Sequence, residues 1–153
     1  KYLLVIFSLL TFASCFIPEF GYCEDIDVQS DWEVFIIDTT QTYTDPRDVY
    51  KDMTLDFYIN GYFNNYDVKP TGFELNAVKD GVSVFKIPMK YVAKGIQNAW
   101  FPYTYTATFP VPGFTPSGNY NVYITVKGEK YLNGESLIGE AEDVGCVMAY
   151  IEF

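Results

Sequence analysis

Histidine does not occur once in the 153 residues of this chain. Its absence removes the commonest general base and the commonest metal ligand together, and with them every Ser-His-Asp or Cys-His catalytic arrangement. Basic residues are also scarce. Ten Lys and Arg stand against 20 Asp and Glu, giving a formal charge of −10 and no basic run, which argues against a nucleic-acid partner. The sequence holds no GxSxG, phosphate-binding GxxxxGK, GxGxxG or CxxC pattern, and no Asn-x-Ser/Thr acceptor for glycosylation. Twenty acidic residues still supply many accidental pairs for carboxylate-based hydrolysis, but no spacing singles one out. A non-enzyme needing neither metal nor cofactor is the simpler expectation.

What the chain has in abundance is aromatic residues: 14 Tyr, 13 Phe and 2 Trp. These favour strands, and most of the sequence alternates with period two. In 53–63, Met53, Leu55, Phe57, Ile59 and Phe63 point one way, while Thr54, Asp56, Tyr58, Asn60 and Tyr62 point the other. Residues 100–109 set Phe101, Tyr103, Tyr105, Ala107 and Phe109 against threonines. In 119–127, Tyr120, Val122, Ile124 and Val126 alternate with polar partners. Further strands are expected over Trp32–Ile37, over a hairpin joining 73–78 to 82–87 through Lys79-Asp80-Gly81, and over the terminal run 145–153. Lys69-Pro70-Thr71-Gly72 reads as a turn, 89–98 as a loop or short helix, and 127–145 as a long hairpin connection. The pattern predicts one all-β domain, a two-sheet antiparallel sandwich of the immunoglobulin-like type with about seven or eight strands. A closed barrel is the alternative.

Lys1 to Cys15 is a basic residue, a short apolar run and small residues, the pattern of a secretory signal peptide too short to span a bilayer. It leaves 16–153 as the domain. Alternatively, Phe12-Ala13-Ser14-Cys15 matches the end of a bacterial lipoprotein signal, with Cys15 the lipidated first residue. If Cys15 leaves with the leader, the two remaining cysteines of an exported chain, Cys23 and Cys146, most simply form one disulfide.

Pro116-Ser117-Gly118-Asn119-Tyr120-Asn121-Val122, followed by the Cys146-Val147-Met148-Ala149-Tyr150-Ile151-Glu152-Phe153 strand, resembles the C-terminal half of an ML (lipid-recognition) domain. That family includes lysosomal cholesterol carriers and fungal phosphatidylglycerol/phosphatidylinositol transfer proteins. Its early cysteine pairs with its late one, which again implies Cys23 with Cys146. Its additional mid-domain disulfides have no counterpart here, where Gln97 to Pro102 stand instead.

The resemblance implies a secreted or endolysosomal monomer that holds a sterol, phospholipid or glycolipid between two sheets and touches membranes transiently. The inward sets would then form the wall: Phe57, Ile59, Phe85, Tyr103, Tyr105, Tyr120, Val122, Ile124, Val147 and Ile151. The apolar connection from Phe109 through Val111 to Phe114 would form the mouth. A competing reading, an aromatic-rich sandwich binding carbohydrate or protein, would instead use Trp32, Tyr58 and Tyr62 on a flat outer face.

Overall fold

The computed structural model describes residues 17–23, 35–92, 94–136 and 141–153. The segment 1–15 expected as a leader, Cys15 included, and Trp32 lie outside them. The strands are β1 (Glu19–Tyr22), β2 (Phe35–Ile37), β3 (Tyr43–Asp45), β4 (Met53–Phe63), β5 (Asp67–Lys79), β6 (Val82–Pro88), β7 (Lys90–Tyr91), β8 (Pro102–Val111), β9 (Asn119–Leu132), β10 (Glu135–Ser136) and β11 (Glu142–Glu152). Every pairing is antiparallel. Six strands form one sheet, in the order β1-β11-β9-β5-β6 with β10 on β9. Five form the other, in the order β2-β4-β8-β7 with β3 on β4. The described residues contain no helix, hence none long and apolar enough to cross a membrane.

Alternation in the long strands does what it promises. On β4, Leu55, Phe57, Ile59 and Phe63 are 0% exposed, while Thr54 and its alternating partners stay at the surface. The inward position between Ile59 and Phe63 is Gly61, and the reason is steric. A Cβ there would lie 2.4 Å from the Ile36 carbonyl oxygen and 2.7 Å from the Phe35 ring. On the opposing sheet, a Cβ at Gly145 would lie 2.4 Å from Phe35 Cβ. Phe35 is therefore seated between two glycines, one on each sheet, and brings the sheets together at the β2 edge.

Two hairpins turn on two residues each. Asp80-Gly81 (φ 52° and 77°) joins β5 to β6, and Asn133-Gly134 (φ 52° and 82°) joins β9 to β10. Asp-Gly and Asn-Gly supply the left-handed conformations that such turns demand. β9 thus runs to Leu132, well into the expected 127–145 connection.

The expected turn at Lys69–Gly72 is not one. β5 runs straight through it, and the register on β9 slips by one residue between Pro70 and Gly72. A bulge there absorbs Thr71 beside a proline that cannot donate to the ladder. The expected strand start at Trp100 is also displaced, to Pro102. Trp100 adopts φ 66°, and its N–H donates to the Phe63 carbonyl at 2.8 Å, which turns the chain over the end of β4 and leaves Phe101 60% exposed. The described residues of 89–98 hold no helix. They carry the chain from β6 across to the other sheet, with the Met89 N–H donating to the Phe73 carbonyl.

Cys23 and Cys146 are joined, their Cα atoms 5.9 Å apart. The bond lies outside the core with Tyr123, backed by Val78 and Met148. It ties edge strand β1 to β11.

Candidate functional site

Eight of the expected wall residues and two of the expected mouth residues meet in a single apolar interior. Phe57, Ile59, Tyr105, Phe109 and Val111 from one sheet, and Tyr120, Val122, Ile124, Val147 and Ile151 from the other, are each no more than 5% exposed. Phe85 and Tyr103 are half-buried at its margin. Among the described residues rings pair across the gap between the sheets four times: Phe20 on Phe57 (6.5 Å, edge-on), Phe73 on both Tyr105 (5.5 Å) and Tyr91 (5.3 Å), and Phe85 on Phe109 (5.7 Å, stacked). Such pairs add to what burial alone contributes. Phe20, Phe35 and Phe73 were not among the expected wall residues. Their signal was only membership of short apolar runs, because the partners that give them a role come from distant segments.

One polar atom stands out in this interior. Tyr105 is 1% exposed, packed against Phe35, Phe63 and Phe73, with Lys94 Nζ 5.1 Å from its ring centre. Its hydroxyl has no hydrogen-bond partner, a condition shared among the described residues by Thr44 Oγ1 and Asn64 Oδ1. An unmet buried hydroxyl costs about 1–3 kcal/mol. Burial, with Tyr103 adding to it, pushes the phenol well above its ordinary value, so it remains an O–H donor at any physiological pH.

The expected mouth divides in two. Phe109 and Val111 turn inward, whereas Phe114 is 85% exposed at the tip of its loop. Three connections converge there. Lys51 Nζ donates to Ser117 Oγ (2.8 Å), Lys79 Nζ donates to the Ser117 carbonyl (2.6 Å), and Gly113 sits against Asp52. Tyr50 (57% exposed) and Val82 (67%) add apolar surface to this end.

Two concavities lie beside the irregular edge formed by β2 and β3. The chain there is folded by Asp38, whose Oδ1 accepts from the Thr40 N–H, the Thr40 hydroxyl and the Gln41 N–H. The Thr40 hydroxyl is the main cause holding that carboxyl below its ordinary pKa. A groove of about 650 Å³ is lined by Asp38, Gln41, Asn60, Tyr62, Tyr103 and Thr104, among others. It contains a single carboxylate and so offers no acid–base pair. Tyr62 stacks on Trp100 at 5.8 Å, and Tyr58 stacks on Tyr43 at 4.7 Å. The second concavity, about 190 Å³, opens between β1 and β3.

Among the described residues no group of three or more potential metal ligands comes together. No protein-family model and no curated protein matches the chain.

Proposed function

We propose that the chain is a lipid-binding or lipid-transfer protein of the ML type. In this reading an immunoglobulin-like sandwich holds a sterol, phospholipid or glycolipid acyl moiety between its sheets, in a secreted or endolysosomal setting with which the disulfide is compatible. The observation that carries the reading is the Tyr105 hydroxyl, buried without a partner in an aromatic interior whose margin, Phe85 on Phe109, lies toward the apolar end around Phe114. An apolar chain inserted among these rings gains about 0.8 kcal/mol per CH₂. A ligand oxygen would give Tyr105 the acceptor it lacks. Catalysis is not part of the proposal, since the sequence contains no histidine.

Mass spectrometry of organic extracts from the purified protein tests the reading: a stoichiometric apolar ligand is expected, and none would refute it. Tyr105→Phe should leave thermal stability unchanged or slightly raised while reducing retained lipid several-fold.

The 650 Å³ groove favours one second reading, a neutral saccharide held by Asp38, Gln41 and Thr104 against Tyr62. Saturable sugar binding abolished by Tyr62→Ala, with no lipid extracted, would select it instead.

A further inference from the structure

Where β1 and β3 run along the same side of the sandwich, the two sheets do not close on each other. Tyr22 reaches across near the β2 end, its hydroxyl 3.5 Å from the Ile37 carbonyl. Beside β3 the seam stays open as the 190 Å³ groove. Its walls differ chemically. Ile17, Pro18 and Phe20 form the apolar one, and Thr42, Thr44 and Arg47 the polar one. The groove's inner limit is Phe20, whose ring meets Phe57 edge-on, so the apolar wall is continuous with the core.

Arg47 is the only arginine in the chain. Asp45 and Asp48 flank it in sequence, yet among the described residues it makes no ion pair or hydrogen bond. That is unusual in this molecule. Lys69, Lys86, Lys127 and Lys130 are paired with carboxylates. Lys51, Lys79 and Lys94 donate to oxygens of Ser117 and Thr104. Of the described basic residues only Lys90 shares Arg47's unpaired state, and it stands exposed on β7 without lining a groove described here. Facing the same groove is Thr44, 1% exposed, whose hydroxyl is one of the buried polar atoms with no partner. Thr42, beside it, is already satisfied: its hydroxyl donates to the Asp38 carbonyl and accepts from the Asn60 N–H.

We propose that Arg47 and Thr44 form a phosphate site at the β1–β3 seam, which receives the headgroup phosphodiester of a phospholipid whose acyl chains pass Phe20 into the core. A guanidinium presents a planar fork of N–H donors that matches two phosphate oxygens, and a hydroxyl donor from the adjacent strand supplies a third bond. An unpaired arginine opposite an apolar wall has the amphipathic character of such a lipid at its glycerol junction. The inference rests on the lipid-carrier reading and narrows it from lipids in general to phosphate-bearing ones. A sterol would leave Arg47 and Thr44 as they are.

The test offers the full chain equimolar phosphatidylglycerol and diacylglycerol with identical acyl chains in non-ionic detergent micelles, and counts retained lipid by mass spectrometry. Glycerol phosphate, which has no chains, is titrated separately against the arginine Nε–H resonance of the ¹⁵N-labelled protein. Wild type should retain phosphatidylglycerol about tenfold over diacylglycerol. Arg47→Gln should erase that preference without reducing diacylglycerol uptake, and Arg47→Lys should restore it only in part. Thr44→Val should weaken it less, with an unchanged melting temperature. Equal retention of both lipids by wild type, or an undiminished preference in Arg47→Gln, overturns the proposal. Should neither lipid be retained, the carrier reading fails and the glycerol phosphate arm decides alone: a saturable shift of the arginine resonance would support a site for free phosphate esters, and no shift would overturn that too.

Discussion

The two ends of this sandwich are built differently. At the end where β4 terminates and β8 begins, residues 97–100 are fastened mainly by backbone groups. Val68 and Gln97 exchange two N–H to carbonyl bonds (2.9 and 2.7 Å), Trp100 donates to the Phe63 carbonyl, and Ala99 donates to Asp67 Oδ1 at 2.8 Å. At the opposite end Gly118 and Phe153 also exchange two backbone bonds (2.9 and 3.0 Å), but the loops carrying Tyr50, Val82 and Phe114 are joined to one another through the ends of long, half-buried lysine side chains on Ser117. Backbone bonds close to the strands fix geometry at small entropic cost, whereas a lysine tether must order several rotatable bonds for each contact. The first end is suited to holding the fold, and the second to yielding when something approaches. In the first, hydrogen bonds tie 97–100 to β4 and β5.

The largest effect should come from the disulfide. Reducing Cys23–Cys146 frees β1 from β11 and opens a link spanning 123 residues of sequence, so stability should fall by about 2–4 kcal/mol. Urea unfolding with and without reductant measures it, and an unchanged midpoint would show that the edge strand holds unaided. Asp67→Ala should cost about 1–2 kcal/mol by orphaning the Ala99 N–H, with lipid transfer unaffected. A loss of transfer larger than the loss of stability would mean that the fastened end is also functional. Phe114→Asp probes the converse. Removing the most exposed large apolar side chain among the described residues should cut extraction of lipid from vesicles at least tenfold while leaving the melting temperature nearly unchanged. Normal transfer by that variant would remove this end from the mechanism.

Legibility in the sequence followed the same division. β4 and β9 as far as Lys127 could be read directly, because each buries one face and a period-two pattern records that. β5 could not, because Pro70 and Gly72 carry turn chemistry that a bulge against β9 overrides. Trp100 was read as the first residue of a strand, but its conformation is decided by a carbonyl 37 positions earlier in the chain, at Phe63. The apolar wall was readable as a set of inward residues, since any sandwich core needs them. The features that give the site a chemistry were not. An unpartnered Tyr105 hydroxyl and an unpaired Arg47 are defined by what their neighbours fail to offer, and those neighbours come from several strands. Arg47 alone left a trace, as the single arginine among ten basic residues.

The smallest expected effect concerns acid, and it sharpens the contrast between the ends. Asp48, Asp52 and Asp80 are exposed in the loops around Phe114, where they repel an anionic bilayer at neutral pH. Acid lowers the net negative charge of the chain as a whole, which is −10 at neutral pH, so transfer to anionic vesicles should be faster at pH 5 than at pH 7. The gain must be modest, about twofold, because the chain has no histidine to titrate between those pH values. The opposite end should not respond. Glu129 there accepts from the Tyr131 hydroxyl and from Lys69, which hold its pKa below the ordinary value. A carboxyl depressed in this way keeps its contribution to stability above the unfolded-state pKa and loses it only as pH falls through the lower folded-state value. Thermal stability should therefore stay flat from pH 7 to pH 5 while transfer rises. A transfer rate unchanged with pH would show that the acidic loops do not face the membrane, and a rise that tracks a falling melting temperature would show that acid loosens the fold rather than uncovering its apolar end.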